Sequence, residues 1–204
     1  MADKRIYLAS RSPRRRELLR QIGVGFEVLL LREDPRRAVD VDESPLPAEG
    51  PSDYVLRIAR NKSAVAARQV IQRGLPPHPA LAADTTVVLD DVIIGKPESA
   101  QHAAQILSAL AGREHSVMTA VALGMRDRVE SALSISSVEF RALSAGEIQR
   151  YIASGEPFGK AGAYAIQGRA AAFVTRITGS YSGIMGLPLA ETAELLAKFD
   201  IEAI

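Results

Sequence analysis

RIYLASRSPRRRELLRQIG, residues 5–23, is the stretch from which the fold can be read. RIYLA (5–9) has the length and apolar character of a short buried strand. Ser12–Pro13 then opens a helix, a hydroxyl for free N–H groups followed by a residue whose φ is preset. Leu18, Leu19 and Ile22 form its apolar stripe, and Gly23 ends it. The charges are out of place, because Arg14, Arg15 and Arg16 fill the first turn with Arg11 just before it. A helix N-terminus is already positive, and each cation there costs roughly 0.3–1 kcal/mol. A multiply charged anion would remove that cost. Helical spacing turns Arg14 and Arg15 toward the side of Leu18 and Leu19, and aligns Arg16 with Arg20 on the far, solvated face. Backbone N–H groups plus inward guanidinium forks suit phosphate, and the alternative is a basic surface turn.

Outward from this unit, FEVLLL (26–31) reads as the next strand. Residues 32–51, rich in Pro, Asp, Glu and Arg, read as a long loop of the kind that is usually functional or mobile. Ser52 is expected to cap a helix reaching about Arg73. ALAADTTVVL (80–89) and VIIG (92–95) make a hairpin turning at Asp90–Asp91, followed by a helix from Ser99 to Ala111 closed by Gly112. HSVMTAVALGM and VESALSISSVEF form a second strand pair. SAGE (144–147) is a capping box, GEPFGKAGAYAIQG a glycine-rich loop, AAFVTRI a strand, and a last helix follows Pro188. Helices alternating with strands and hairpins predict an α/β fold with a mixed central sheet flanked by helices. No repeat or interdomain linker interrupts it, so residues 1–204 are expected to form a single domain.

Composition excludes several functions. The chain has 47% hydrophobic and 24% charged residues, as ordinary globular proteins do, and its net charge of +1 argues against bulk nucleic-acid binding. Without cysteine there is no disulfide scaffold, thiolate zinc site or cysteine nucleophile. MADKRIYLAS lacks a signal core and no apolar run approaches membrane-spanning length, so a cytoplasmic protein is expected. His78, His102 and His115 are scattered, which disfavours a histidine metal site or a serine–histidine triad. GEPFGK has three residues between its glycines and lacks the Ser/Thr of a P-loop.

Three residues run against their local pattern. Lys62 falls in the row of Val55, Ala59, Ala66 and Val70, where a lysine either snorkels or supplies a point charge to an anion. Asp84 interrupts an apolar strand, and a buried carboxylate is costly unless paired or cation-bound. It reads as a general base or metal ligand, or as a structural carboxylate satisfied within the fold. Lys96 follows in GKP, where hairpin pairing returns it toward Asp84. Any metal would be a hard cation held by carboxylate, water and phosphate.

In this order LASRSPRRRELL, RIARNKSAV, AADTTVVLDDVIIGKP, GKAGAYAIQG and GSYSGIMGLP resemble the Maf family of nucleoside triphosphate pyrophosphatases along nearly the whole chain. KAGAYAIQG is similar to the branch preferring dTTP and UTP over 7-methyl-GTP. The resemblance implies a Maf/inosine-triphosphatase-like fold with a cleft between two lobes, and hydrolysis of a nucleoside triphosphate to monophosphate and pyrophosphate with Mg²⁺ or Mn²⁺. It also implies a link with septum formation. By motif position Ser10, Arg14, Arg15, Lys62 and Lys96 would bind phosphates. Asp84 would be the proton acceptor and a metal ligand, while Gln167 and Thr85 would read the nucleotide. The family's paired glutamates after the second strand align with Asp34–Pro35, which makes Asp34 the second metal-ligand candidate, and its aspartate before KAGAY is Gly159 here. The expected partners are the nucleotide and, as family members are often dimers, a second copy of the chain, with neither nucleic acid nor membrane. The readings left open are a non-catalytic nucleotide-binding regulator of division and the same chemistry on a purine nucleotide.

Overall fold

A computed structural model describes residues 5–32 and 39–204. Its centre is a mixed sheet of seven strands: β1 (Arg5–Leu8), β2 (Gly25–Val28), β3 (Ala80–Leu89), β4 (Val92–Ile94), β5 (Glu114–Met125), β6 (Arg128–Phe140) and β7 (Val174–Thr178). The order is β2-β1-β3-β5-β6-β7, with β4 on the far part of β3. β1 is parallel to β2 and β3, and the remaining pairs are antiparallel. The helices are α1 (Pro13–Gln21), α2 (Pro51–Gln72), α3 (Ala100–Leu110), α4 (Ala145–Ala153), α5 (Tyr181–Met185) and α6 (Leu189–Ala197). None among the described residues is long and apolar enough to cross a membrane.

The mixed sheet and the expected hairpins are present. Asp90 and Asp91 both take positive φ, 51° and 60°, as a two-residue hairpin turn requires. Ser144 and Glu147 form the reciprocal capping box, with Arg141 on the glutamate's other oxygen, and Glu147 is pushed down to about 2 chiefly by that arginine. Several boundaries differ from the sequence reading. FEVLLL pairs as a strand only through Val28, and AAFVTRI begins its strand at Val174 after a 3-10 turn. Gly50, not Ser52, precedes α2, because Pro51 takes the first helical position, where a missing N–H costs nothing. The five-residue α5 is too short to show a helical period.

Side-chain alternation sorts β3 between two layers. Ala80 and Ala82 pack with Ala66, Ala67 and Val70 of α2, while Leu81 and Ala83 pack with Leu18, Leu19 and Leu195 beneath α1 and α6. Small residues let α2 lie close. A Cβ on Gly124 would stand 2.7 Å from Ser63 Oγ, which itself donates to the Ala80 carbonyl at 2.9 Å. A second lobe surrounds Phe140, whose ring meets Tyr164, His115 and Phe173 edge-on at 4.9, 5.0 and 6.0 Å.

The sheet leaves one gap. β1 pairs with β3 only at Tyr7↔Ala80 and Leu8↔Leu81, and β4 takes up the same edge only from Val87. Between them Ala83 to Thr86 have no strand neighbour on that side among the described residues. Asp84 and Thr85 are also the two residues of β3 that are not buried. Crevices beyond the carboxyl ends of parallel strands are where α/β sheets bind ligands.

His115 is 3% exposed, its Nε2 2.9 Å from the Tyr164 hydroxyl, and burial pushes it down to about 4. A histidine kept neutral when folded lets the unfolded chain bind the extra proton, so stability is whole above about pH 6.5 and falls toward pH 4. Between pH 6.5 and 5 the loss should reach up to about 2 kcal/mol at about 1.4 kcal/mol per pH unit. Denaturant melts across that range should show a flatter dependence in His115→Gln, and equal slopes would remove His115 as the cause.

Candidate active site

The gap opens into a cleft of about 790 Å³. Ser10, Arg14, Arg15, Lys62, Asp84, Thr85, Lys96 and Gln167 all line it. Every site residue inferred from the sequence meets there except Asp34, which lies outside the described residues, as does Glu33.

Asp84 faces α2, following Ala80 and Ala82 by strand alternation, and Lys62 comes down from that helix to meet it. Lys62 Nζ donates to Asp84 Oδ1 at 2.8 Å, and both side chains are 14% exposed. Lys62 is therefore neither snorkelling nor free, and Asp84 is a half-buried carboxylate with a cation partner. The same ammonium lies 2.9 Å from Glu43 Oε1. Sequence reasoning missed Glu43, which belongs to the long polar loop 32–51. Its place is set from α2: the Tyr54 hydroxyl donates to the Glu43 carbonyl at 3.1 Å, and Arg57 donates to the Ser44 carbonyl at 3.0 Å. Arg57 also grips Glu49 with both forks of its guanidinium. Burial, then the charges of Asp84 and Glu43, push Tyr54 up to about 12. Its one sequence signal was the acidic pair Asp42–Glu43 ahead of Ser-Pro.

Arg14 and Arg15 both turn inward, but they do different things. Arg15 is spent on the protein. Its Nε donates to the Gly186 carbonyl and its Nη1 to the Ala83 carbonyl, each at 2.7 Å, with longer bonds to Ser10 Oγ and Thr85 Oγ1. It supplies the bond that a neighbouring strand would have given Ala83. Arg14 makes no hydrogen bond or ion pair among the described residues. Burial lowers its pKa, while the charges of Glu156 and Tyr151 oppose that. Arg16 is not the solvated residue that helical spacing suggested. It is half-buried, with Nε shut off from solvent and without a partner among the described residues, because a guanidinium stem is apolar enough to pack.

Thr85, on the opposite face from Asp84, joins a closed chain. Thr119, fully buried, has its hydroxyl 2.8 Å from the Gly183 carbonyl and 2.9 Å from Thr85 Oγ1. One hydroxyl hydrogen must serve the carbonyl, so Thr85 donates to Thr119 while accepting from Arg15. Little is left for a ligand. Ser10 Oγ accepts from the Ser12 N–H at 3.1 Å and from Arg15, which leaves its own proton free.

Across the cleft stand further cations. Continuing the β3–β4 register from Val87↔Ile94 sets Lys96 opposite Thr85, as the hairpin predicted, and its ammonium has no partner among the described residues. Lys160, which the sequence reading passed over, donates among the described residues only to the Phe158 carbonyl, at 3.3 Å. Burial lowers its pKa most, then Arg14, with Glu156 opposing and Lys96 adding to the fall. Gln167 is exposed in the cleft wall with no side-chain hydrogen bond among the described residues, so it does not brace its loop. No group of three or more His, Asp or Glu side chains among the described residues is arranged to hold a metal.

A family model described as Maf-like protein matches residues 5–199. Close relatives named dTTP/UTP pyrophosphatase occur in Nitrosomonas europaea and Aromatoleum aromaticum, each 58% identical over 96% of this chain and 95% of theirs. Another, from Ralstonia nicotianae, is 57% identical over 95% of this chain and 93% of its own. A β–α entry, an AADT strand gap and a KAGAYAIQG wall around one cationic cleft thus come with near full-length similarity, and the chain belongs to the Maf family.

Proposed function

We propose that this protein hydrolyses dTTP and UTP to the monophosphate and pyrophosphate, clearing such nucleotides from the pool. The observation that carries the reading is a division of labour in the cleft. One ammonium, Lys62, is locked to Asp84 and Glu43, while Arg14 and Lys96 have no partner among the described residues. Free cations suit a polyphosphate chain, and a held carboxylate beside them suits proton transfer. The names of the close relatives support the pyrimidine preference.

In this reading the phosphates lie between Arg14, Lys96 and Lys160, with the Ser10 hydroxyl donating to one oxygen. Asp84 takes a proton from water as that water attacks the α-phosphorus, and pyrophosphate leaves with its bridging oxygen. Lys62 occupies Oδ1 and so fixes the carboxylate, leaving Oδ2 to accept the proton. The cations stabilise charge as it moves onto the leaving group.

A divalent cation, Mg²⁺ or Mn²⁺, belongs to this proposal. Asp84 and Glu43, which meet at one Lys62 nitrogen, are hard oxygen donors, and Mg²⁺ is held by one or two carboxylates completed with water and substrate phosphates. The residues fit it. When bound, it would supply positive charge to the phosphate oxygens.

Pyrophosphate release measured with Mg²⁺ or Mn²⁺ across a nucleotide panel tests the whole reading. dTTP and UTP should be cleaved much faster than ATP, GTP or 7-methyl-GTP, and Gln167→Ala should narrow the gap, since a side-chain amide offers a pyrimidine both donor and acceptor. A purine preference would sink the pyrimidine assignment, and tight nucleotide binding without release would mean a regulator. Asp84→Asn should keep the melting temperature and lose roughly 10²–10⁴-fold in kcat. Near-normal turnover in the folded variant would remove Asp84 from the chemistry.

The arginines should separate by what they touch. Arg14→Ala should raise KM with an unchanged melting temperature. Arg15→Ala should lose activity together with about 1–3 kcal/mol of stability, because two carbonyls lose their donor. Arg16→Ala should affect catalysis least. Melts and kinetics on the three proteins decide this, and like behaviour of Arg14 and Arg15 would contradict the division between them.

A further inference from the structure

The loop that carries Lys160, Tyr164 and Gln167 is tied at its neck by one side chain. Glu156 Oε2 accepts the Arg169 N–H at 3.0 Å, and Oε1 accepts the Ala170 N–H at 3.4 Å. Oε1 also accepts the Tyr151 hydroxyl at 3.0 Å, which ties the neck to the end of α4. Tyr151 is 4% exposed and packs edge-on against Phe173 at 5.1 Å, so the anchor is rigid. The Glu156 N–H is itself held by Ser154 Oγ, which donates to the Tyr151 carbonyl at 2.6 Å.

Gly168 lies directly on this carboxylate. A Cβ there would come within 2.6 Å of three Glu156 atoms, including the carboxyl carbon. The far end of a glutamate is normally easy to displace, but here displacement breaks its bonds to Tyr151, Arg169 and Ala170 together. Gln167 stands next to that glycine, and its side chain has no hydrogen bond among the described residues to hold it. Its direction follows the backbone beneath it, which the turn from the Gly168 N–H to the Ala165 carbonyl shapes and Glu156 anchors at Arg169 and Ala170. The same carboxylate lines the cleft, and its charge acts on Arg14 and Lys160.

We propose that Glu156 is a positioning residue for base selection, closing the 156–170 loop so that Gln167 is presented to the nucleotide base. The assignment rests on the pyrophosphatase reading above and on Gln167 as the base reader. It predicts that Glu156 matters through Gln167, more than through the bond being broken.

The test is kcat/KM for dTTP and for ATP in wild type, Glu156→Gln, Gly168→Ala, Gln167→Ala and the Glu156→Gln/Gln167→Ala double variant, each with a melting curve. Glu156→Gln keeps the shape but places an amide where two N–H donors need acceptors, so the dTTP/ATP ratio of kcat/KM should fall about tenfold, mostly through KM for dTTP, while the lost charge beside Arg14 and Lys160 acts on both triphosphates alike. Gly168→Ala should move the ratio the same way with the carboxylate's charge intact. In the Gln167→Ala background, Glu156→Gln should cost less than about threefold, since residues acting as a unit are not additive. If Glu156→Gln does not fold, Gly168→Ala and its pairing with Gln167→Ala carry the same comparison. An unmoved dTTP/ATP ratio, or effects that multiply, would overturn the assignment. A wild type releasing no pyrophosphate from dTTP would instead overturn the function on which it rests.

Discussion

One missing stretch of strand pairing governs this molecule. A strand edge carries backbone groups that need partners, and on the edge of β3 away from β5 Ala83 to Thr86 have no strand partner among the described residues, where β1 has ended and β4 has not begun. Arg15 answers this by donating to the Ala83 carbonyl. In doing so it brings the Ser10–Arg16 turn, the Asp84 strand and the Gly186 loop into one place. The cleft is the space that this substitution leaves, and Arg14, Lys62, Asp84, Lys96, Glu156 and Lys160 all border it.

Collecting cations there is unfavourable without a ligand, because like charges near one another in a half-buried site repel strongly. The protein limits that cost with carboxylates set at intervals. Glu43 and Asp84 neutralise Lys62, and Glu156 acts on Arg14 and Lys160. Positive charge left over on the cleft wall is offset when a polyphosphate enters. The arrangement favours a multiply charged anion over a singly charged one.

Much of this was legible in the sequence because the signals were local. The Asp84 interruption of an apolar run, Lys62 in an apolar helical row, the Asp90–Asp91 turn and the Ser144–Glu147 box each need only a few neighbouring residues. What could not be read depended on distant partners. Helical spacing turns Arg14 and Arg15 to the same side, yet Arg15 is claimed by carbonyls 68 and 171 residues away, and no periodicity contains that. Glu43 sits in a loop with neither period nor cap, and Tyr54 and Arg57 of α2 decide where it goes. Arg16 was misread because spacing reports direction on a helix but not what covers it. Gln167 was legible as a loop residue, whereas the tie beneath it spans thirteen positions.

The bond from Arg15 to Gly186 also bears on how the chain is made. Synthesis delivers the N-terminal strand and helix first, at about 5–20 residues per second, and Arg15 waits for its most distant carbonyl until α5 has emerged. Until then Arg15 lacks the carbonyl that fixes its Nε, and the cationic turn is held against the sheet by the Ala83 bond and the packing of Leu18 and Leu19. Contacts of such long range are slow to close, because loop entropy must be overcome before they contribute. The polyphosphate site is thus completed late, and a nascent chain would expose an arginine-rich turn beside unfinished strands. A nucleotide would stabilise that final step if it binds the assembled cleft as proposed, because a ligand of the folded state alone favours that state.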